Sequence, residues 1–556
     1  MKTDYHQLGQ ECMERLRSTC EKGWEVQEAQ LYNLLYKNKD TWFGKKYGFS
    51  RIKSVNAYQK TVPLSCYADY ESAIAQIMQG KKNILTGEEP VYYSISSGST
   101  GEPKYVPVTV EDMMVHYRYA YGAVFGMAEE YYRDRKPEEI FGKIFQTGEF
   151  FRTFHENGVM NGIRSSSLYQ WMDREEDFDT SDYTAPKEVL FPEQIENLDY
   201  IKIRFALACR DIRCIHGVFI HKLVSLFRYI MRHWDLLLRD METGTVDDSI
   251  PLTDEWREKI RRWLPPDPDR ASELRRWKLD DLKDGMVAKL WGQVNYILVI
   301  GGSAFSIYMK ELTKYAKGIP VHYFAYASSE GIFGLASGMN CQDSYILLPE
   351  AGFFEFFPEE GRGEEPLTIK EVLEGRRYEL IFTNHSGLYR YQVGDIIEVT
   401  GFFGQAPVIR FCYRKNQVIN LADEKLNTAQ LTQAIQKLEE CIQDTVSGYC
   451  IQEDFSVNPA RYLIYIEGIS SAGNELDQVM DLCLRKTSFG YDSCRNMGEI
   501  SMAHVELLSE GSFEKYEKYL SDHGRFVGQS KPLHILDNGD HKSFFEKEIR
   551  RGLQNE

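Results

Sequence analysis

The stretch that decides the fold is residues 96–104, SSGSTGEPK, in which hydroxyl and glycine positions run up to Gly101 and Lys104 follows. Glycine lets backbone N–H groups turn toward a ligand without a Cβ clash, hydroxyls add donors, and the lysine adds charge. Such a set of groups suits a polyphosphate. The spacing is not that of a Walker A loop, because Gly98 and Gly101 are too close together. Taken alone, the stretch fits a nucleotide loop and an ordinary surface turn equally well.

Working outward, residues 90–95 (PVYYSI) predict a short strand that leads into this loop. The chain has 556 residues, more than one hydrophobic core of about 250–300 residues supports, so we expect a large body and at least one smaller domain. The net charge of −17 argues against a nucleic-acid or anionic-membrane partner. No stretch approaches the roughly 18 apolar residues of a membrane span, and residues 1–10 lack a signal core. We therefore expect a soluble, cytoplasmic protein.

The 11 cysteines are scattered, without paired CxxC motifs. In a chain without a predicted signal peptide, they indicate reduced thiols that serve mostly as packing residues. Cys209, Cys214 and His216 form the closest cluster of metal-ligand types. The short ligand pairs typical of zinc sites are missing there, so we do not expect a metal.

Hydrophobic periodicity predicts helices at residues 7–36, 70–79 and 110–132, and a charged helical stretch at 254–282. Residues 203–234 alternate short apolar runs with helical periodicity. Residues 294–300 (VNYILVI) predict a buried strand, followed by a small-residue turn, a helix at 307–315 and another strand. That order is typical of a βαβ unit with a ligand site at the strand ends. Further strands are predicted at 344–348, 353–357, 379–383 and 396–399. After residue 410, helices at 430–438, 475–485 and 514–520 alternate with strands at 461–467 and 502–507, which predicts a small α+β domain.

Three further stretches carry chemistry. Residues 326–330 (YASSE) place an aromatic ring, two hydroxyls and a carboxylate at one predicted turn, where the ring could stack on a base and the carboxylate could hold Mg²⁺. Residues 389–395 (YRYQVGD) end in a glycine–aspartate pair that predicts a turn, with Asp395 placed to accept bonds from a ribose diol. Residues 411–416 (FCYRKN) are expected between two domains. Each stretch alone is more often an ordinary capped helix or turn.

Together, in this order, the four stretches resemble the adenylate-forming enzyme superfamily. They are most similar to its acyl acid amido synthetase branch, the GH3 family, first named from auxin-responsive plant proteins. The resemblance runs from residue 96 to Lys531, and its most specific motif is YASSE. It implies an α/β fold in which a large N-terminal adenylation domain of mixed sheets and helices, residues 1–409, precedes a small mobile α+β domain, residues 419–556. Residues 410–418 are then the hinge.

The resemblance also implies an ATP site. The phosphates are wrapped by Ser96, Ser97, Gly98, Ser99, Thr100 and Gly101, with Lys104 closing the loop. The adenine or acyl adenylate lies along Gly302, Ser303 and Tyr326, with Ser328 beside them. Ser329 faces the α-phosphate, Glu330 ligates Mg²⁺, and Asp395 holds the ribose. The resemblance leaves open whether Tyr389 or Tyr391 plays the family's tyrosine role.

Three basic residues of the hinge and the smaller domain complete this site by resemblance. Arg414 sits at the hinge and could reach the ribose, and Lys425 lies just past the hinge. Lys531, on a late loop, enters the site during adenylation. An exposed surface lysine is the competing interpretation for Lys425 and Lys531. Lys531, Lys104 and Glu330 are the predicted catalytic residues.

The helix predicted at 110–132 should form one wall of the acyl pocket, as in the family. Tyr117, Tyr121 and Phe125 give it an aromatic lining, and Arg118 is a candidate partner for the substrate carboxylate, although a helix-surface arginine is the more ordinary interpretation. The predicted substrates are a small carboxylic acid and an amino acid, and a monomer is expected. Two alternatives stay open: a ligase that sends the acyl group to a thiol such as coenzyme A, and a non-catalytic nucleotide-binding protein.

Overall fold

The computed structural model of the protein describes residues 4–97, 103–175, 178–193, 195–301, 306–359, 365–415, 418–422, 424, 426–469, 475–523, 533–536 and 539–550. None of the helices in these ranges combines the length and the apolar character that a membrane crossing requires.

The α-helices are α1 (Tyr5–Glu21), α2 (Gly23–Asn38), α3 (Trp42–Lys46), α4 (Val55–Thr61), α5 (Glu71–Met78), α6 (Val110–His116), α7 (Ala123–Tyr131), α8 (Pro137–Ile140), α9 (Arg164–Arg174), α10 (Lys187–Leu190), α11 (Leu198–Ala208), α12 (Ile220–Arg232), α13 (Trp234–Thr243), α14 (Asp254–Trp263), α15 (Pro268–Arg275), α16 (Leu279–Leu282), α17 (Met286–Leu290), α18 (Ser306–Ala316), α19 (Thr428–Ile442), α20 (Leu476–Thr487), α21 (Phe489–Met497), α22 (Ser512–Asp522) and α23 (Gly539–Glu548).

The strands are β1 (Tyr92–Ser97), β2 (Pro103–Val108), β3 (Lys143–Gln146), β4 (Thr153–Phe154), β5 (Met160–Gly162), β6 (Ile212–Phe219), β7 (Tyr296–Ile300), β8 (Val321–Tyr323), β9 (Ala325–Ser328), β10 (Gly331–Ala336), β11 (Tyr345–Leu347), β12 (Gly352–Pro358), β13 (Arg377–Asn384), β14 (Tyr391–Phe403), β15 (Ala406–Arg414), β16 (Val418–Ile419), β17 (Leu426–Asn427), β18 (Gly448–Asp454), β19 (Arg461–Glu467) and β20 (His504–Leu507).

The chain divides into two compact units. The first comprises Met1–Ile300 and Leu312–Phe411, and the second comprises Gly301–Glu311 and Cys412–Glu556. The domain division predicted from the sequence, with residues 1–409 and 419–556 joined by a hinge at 410–418, stays a prediction. The α/β class with a C-terminal α+β portion is confirmed by the mixture of helices and sheets in the two units.

Three sheets organise the first unit. One is parallel, in the order β3-β6-β7-β8, and its middle strand β7 is buried along most of its length, as parallel strands covered on both faces usually are. The predicted βαβ unit is confirmed, because β7, α18 and β8 follow one another and β7 pairs parallel with β8. The second sheet has the order β12-β13-β14-β15-β11-β10-β9, and the third β2-β1-β5-β4.

Two predicted helices differ in detail from the structure. The helix predicted at 7–36 is interrupted at Lys22, so that α1 and α2 are separate helices. The helix predicted at 110–132 contains a π-helical turn, Tyr117–Gly122, between α6 and α7. Helix α7 packs against α1 at two glycines: a Cβ on Gly9 would lie 2.5 Å from the backbone nitrogen of Gly126. Substitution of either glycine would therefore push α7, and the π-helical turn before it, out of place.

The second unit has a three-stranded sheet, in which β18 pairs antiparallel with β19 and β19 pairs parallel with β20. Successive residues of β18 and β19 point to opposite faces, as the strand period of two requires. Tyr449 and Ile451 pack into one core with residues of α19, α20 and α21, and Cys450 packs into the other with residues of α22 and α23. Helices therefore cover both faces of this small sheet.

Candidate active site

The glycine-serine motif, residues 96–104, begins in a hairpin of the first unit. Strands β1 and β2 pair antiparallel, with Ser97 opposite Pro103 and Ser96 opposite Lys104. The strand predicted at 90–95 is therefore found two residues later, and it includes Ser96 and Ser97. The ammonium of Lys104 lies 5.2 Å from the centroid of the Tyr67 ring. Gly98, Ser99, Thr100 and Gly101 lie outside the described residues, so their predicted phosphate contacts stay predictions.

The YASSE motif forms the turn between β9 and β10, with Ser329 and Glu330 between the two strands. The Ser328 hydroxyl donates to Glu330 Oε2 at 2.5 Å and accepts the Glu330 backbone N–H at 3.2 Å. The Tyr391 hydroxyl donates to Glu330 Oε1 at 3.0 Å. Asn384 Nδ2 donates to the Glu330 carbonyl at 2.8 Å. Side chain and backbone of Glu330 are thus both fixed by neighbouring residues.

Asp395 lies beside this turn, and the Tyr326 hydroxyl donates to its Oδ2 at 2.7 Å. Both side chains are buried. The glycine–aspartate pair does not form the predicted turn: it lies inside β14, where the pairing with β13 shifts register between Glu379 and Ile381. Gly394 has a φ of +79° at this bulge, a conformation that glycine adopts at little cost. A bulge re-aims the side chains next to it, and here it brings Asp395 to Tyr326.

The two tyrosines of the YRYQVGD stretch serve different purposes in the structure. Tyr389 is fully buried and donates its hydroxyl to the Leu85 carbonyl at 2.8 Å. Tyr391 donates to Glu330, so it is the tyrosine that reaches the candidate site. Between them, Arg390 has a φ of +48° and forms a buried ion pair with Glu355. This ion pair holds the segment in which Tyr389 faces the core and Tyr391 faces the candidate site.

The predicted acyl wall lies at the π-helical turn. Tyr117 stacks on Tyr121, with ring centroids 5.6 Å apart. A small cavity of about 20 Å³, room for about one water molecule, is lined by ten residues: Ala120, Tyr121, Val124, Phe125, Ile144, Tyr169, Tyr183, Cys214, His216 and Leu298. Burial lowers the pKa of His216 to about 4, so this imidazole is neutral. The structure thus brings Tyr121 and Phe125 together at one mostly apolar cavity.

Arg118 does not point to an empty pocket. Its guanidinium pairs with the buried carboxylate of Glu350, which also accepts bonds from Arg15 and Tyr119. The arrangement gives Arg118 a partner inside the protein, and its role toward a substrate carboxylate stays a prediction.

The remaining predicted residues are not brought into this arrangement by the described part of the chain. Gly302, Ser303, Lys425 and Lys531 lie outside the described residues. Arg414 ends β15 and belongs to the second unit, whereas Glu330 and Asp395 belong to the first. The ligand roles of these five residues stay predictions.

Sequence reasoning missed Asn384 and the buried ion pair between Asp112 and Arg164, whose atoms Oδ2 and Nη2 lie 2.8 Å apart. For Asn384 there was a signal, since the segment from Asn384 to Gly387 (NHSG) ends one residue before the YRYQVGD stretch and is typical of a turn. The Asn384 side-chain oxygen accepts the N–H groups of Ser386 and Leu388 and so fixes that turn. Arg164 had no signal, because a single arginine carries no pattern.

Glu330 has the donor chemistry that a magnesium ion requires. Each of its oxygens accepts one hydrogen bond, and an ionised carboxylate offers about four acceptor sites, so capacity remains for a cation. Magnesium is usually held by one or two carboxylates together with substrate phosphates and waters. Among the described residues, no three His, Cys, Asp or Glu side chains are grouped as an all-protein metal site.

Comparison with known families gives the class of the protein. The model of the GH3 family N-terminal domain matches residues 12–321, that of the central domain matches 345–414, and that of the C-terminal domain matches 429–540. Because these matches cover most of the chain, the protein belongs to the GH3 family.

Curated relatives and solved structures agree with this membership. Jasmonoyl–L-amino acid synthetase JAR4 of Nicotiana attenuata is 26% identical over 94% of this chain and 92% of its own length. Indole-3-acetic acid-amido synthetase GH3.4 of Arabidopsis thaliana is 26% identical over 91% of this chain and 88% of its own length. The solved structure of the GH3.15 acyl acid amido synthetase superposes with a TM-score of 0.84 at 22% identity, covering 97% of this chain and 96% of that one. The fold is therefore that of an acyl acid amido synthetase.

Proposed function

We propose that this protein is an ATP-dependent acid–amino acid ligase, which adenylates a carboxylic acid and transfers the acyl group to an amine. The observation that carries the proposal is the pairing on one sheet of the first unit: Glu330 is fixed by Ser328, Tyr391 and Asn384, and Asp395 is joined to Tyr326. In a chain of the GH3 family, this supports a site for a magnesium nucleotide. The amide-forming activities for which the relatives are named support the acceptor class.

The reaction needs no protein nucleophile. A carboxylate oxygen of the acid attacks the α-phosphorus of ATP, and the bond to the β-phosphate oxygen breaks to release pyrophosphate. The nitrogen of the amine then attacks the acyl carbon, loses a proton, and displaces AMP. The metal at Glu330 would supply neutralisation of phosphate charge. Lys104 stabilises the charge that builds on phosphate oxygens, Asp395 accepts from the ribose diol, and Tyr326 flanks the adenine.

The second unit supplies Lys531 in this proposal, and rotation about the hinge removes it before amide formation. Arg414 and Lys425 contribute from the hinge side, and Gly302 and Ser303 lie along the adenylate. Lys531→Ala should lower acid-dependent adenylation about 100-fold or more while sparing amide formation from a preformed acyl adenylate. Single-turnover measurement of each half-reaction tests this. Equal losses in both half-reactions would contradict the domain-rotation model.

The identity of the acid is tested by a screen. The aromatic side chains of Tyr117, Tyr121 and Phe125 on the predicted acyl wall support a flat aromatic or other hydrophobic acid. Purified protein with ATP and Mg²⁺ is offered each acid of a panel that includes indole-3-acetate, jasmonate and benzoate, with each protein amino acid, and products are read by mass. We expect AMP, pyrophosphate and one amide mass in equal amounts.

The same screen separates the alternatives. A thioester mass with coenzyme A, and no amide, would favour the thiol-acceptor ligase. A complete absence of acid-dependent pyrophosphate release over the panel would favour a non-catalytic nucleotide-binding protein. The cytoplasmic location and the monomeric state stay predictions of the sequence, and size-exclusion chromatography with light scattering tests the second of them.

A further inference from the structure

Arg164 lies close in register to the glycine-serine motif. It begins α9, two residues after β5, and β5 pairs parallel with β1 from Tyr92↔Met160 to Ser94↔Gly162. Two residues further along the two chain segments are Ser96 and Arg164. The start of α9 is therefore carried toward the end of β1 at which the predicted phosphate residues begin.

The guanidinium of Arg164 is buried and its donors are unused. The residue is 7% exposed, and neither Nε nor Nη1 nor Nη2 has a hydrogen-bond partner. Asp112 Oδ2 lies 2.8 Å from Nη2, but the N–H is not aligned with it as a hydrogen bond. Arginine carries five N–H donors, and leaving buried donors unmet is costly. Native proteins keep few such groups, and one use for them is a functional site.

A second buried arginine of the first unit, Arg270, shows the contrast. Arg270 is 2% exposed, and it donates to the carbonyls of Leu207 and Leu290 and to the carboxylate of Glu273. Its donors serve the fold. Arg164 balances the charge of Asp112 without forming a hydrogen bond to it. Its N–H groups can therefore bind a ligand that the protein itself does not contain.

The surroundings of Arg164 connect it to the second half of the site. Asp112 and His116 lie one turn apart on α6, and His116 Nδ1 also lacks a hydrogen-bond partner. Burial, together with the nearby Arg164, holds the pKa of His116 well below its ordinary value, so this imidazole is neutral. A Cβ placed on Gly331 would lie 3.7 Å from Asp112 Oδ1, and Gly331 directly follows Glu330. The cluster of Asp112, His116 and Arg164 therefore lies beside the Glu330 turn.

We propose that Arg164 binds an oxyanion of the reacting pair, either the carboxylate of the acid or the α-phosphate that this carboxylate attacks; the inference rests on the proposed function. A guanidinium offers two parallel N–H groups that match both carboxylate and phosphate oxygens. Bonds of this kind, already oriented before reaction, stabilise charge that develops in the transition state. Arg118, whose guanidinium is committed to Glu350, is not the residue that we assign to this task.

The test uses acid-dependent exchange of labelled pyrophosphate into ATP, with the acid that the screen above selects. Arg164→Met should lower kcat/KM about 100-fold or more, and Arg164→Lys should recover little, since an ammonium lacks the planar fork. In Arg164→Ala, guanidinium chloride at millimolar concentration should restore at least tenfold of the lost rate. A raised KM for the acid with an unchanged KM for ATP assigns the carboxylate. A raised KM for ATP, or a loss in kcat alone, assigns the phosphate.

Arg270→Met is the matched control, because it removes a buried arginine whose donors serve the fold. We expect it to lower the melting temperature without changing either KM and without a response to guanidinium. The proposal is overturned if folded Arg164→Ala shows no rescue, or if Arg164→Met stays within threefold of the wild type. Circular dichroism establishes that the variants are folded. If Arg164→Met and Arg164→Ala do not fold, the exchange rate of Arg164→Lys is compared with that of the wild type instead. A wild type without any acid-dependent exchange would remove the proposed function itself, and this inference with it.

Discussion

The two sides of the Glu330 turn are built differently. On the strand side, formed by Asn384, Tyr391 and Asp395, every one of these side chains forms a hydrogen bond at 3.0 Å or less with another residue of the site. On the helix side, formed by Asp112, His116 and Arg164, the imidazole Nδ1 and the guanidinium nitrogens are buried without hydrogen-bond partners. A satisfied network fixes geometry, whereas unsatisfied buried groups gain most when a ligand arrives. The strand side therefore serves to position Glu330, whereas the helix side is where a charged ligand would supply the missing hydrogen bonds.

The largest expected effect comes from the residue between the two sides. Glu330→Gln keeps the shape of the side chain, but it removes the charge that would hold the metal and replaces one accepting oxygen with an N–H donor. We expect acid-dependent pyrophosphate exchange to fall about 1,000-fold, at the upper end of the effect of one electrostatic group. Glu255→Gln, in the exposed helix α14, is the control and should leave the rate unchanged. A loss of less than tenfold in Glu330→Gln would show that this carboxylate does not hold the metal.

A smaller effect distinguishes the two neighbouring tyrosines. Tyr391→Phe removes the hydroxyl that donates to Glu330 Oε1, and a hydrogen bond to a charged group is worth about 1.5–3 kcal/mol. We expect exchange to fall by about 10- to 150-fold, with little change in stability. Tyr389→Phe leaves the buried Leu85 carbonyl without its partner, so it should cost about 1–3 kcal/mol of unfolding free energy and leave the rate of the folded enzyme intact. The reverse assignment of losses would contradict the strand side as described.

The elements that could be predicted from the sequence are those with strong local signals. The strand predicted at 461–467 is found at Arg461–Glu467, and the helix predicted at 307–315 is found at Ser306–Ala316. In both, periodic apolar residues are bounded by turn residues. Strand β18 was missed, because its central residues Tyr449, Cys450 and Ile451 are buried on both faces and show no alternation. The π-helical turn at Tyr117–Gly122 was also missed, since it keeps the same aromatic spacing as an ordinary helix.

The residues of the candidate site could likewise be predicted where they belong to short sequence motifs, but the contacts between them could not. Tyr326, Glu330 and Asp395 could be named because their motifs are contiguous in sequence, but the bond between Tyr326 and Asp395 depends on a bulge in β14 that no local pattern indicates. The ion pair between Asp112 and Arg164 joins α6 to α9, and its two members are separated along the chain by the π-helical turn, helices α7 and α8 and strands β3 to β5. Contacts of that kind depend on tertiary packing, which a single sequence does not reveal.

The smallest expected effect concerns stability on the helix side, and it depends on pH. Burial, with Arg164 nearby, holds the pKa of His116 well below its ordinary value of about 6.5, so the unfolded chain binds a proton that the folded chain does not. Stability from this group is therefore present above about pH 6.5 and is lost as the pH falls, by about 1.4 kcal/mol per pH unit at most. His116→Leu removes that proton difference, so its stability should fall less steeply between pH 6.5 and 4.5. Urea unfolding midpoints at several pH values measure the slope, and His523→Leu, at an exposed position, should reproduce the wild-type slope. Burial lowers the pKa values of His216 and His322 to about 4, but both residues are present in the wild type and in the variant, so the difference in slope reports on His116 alone. Equal slopes would mean that His116 takes up its proton as readily in the folded protein as in water. The helix side would then be more open to solvent than its burial indicates.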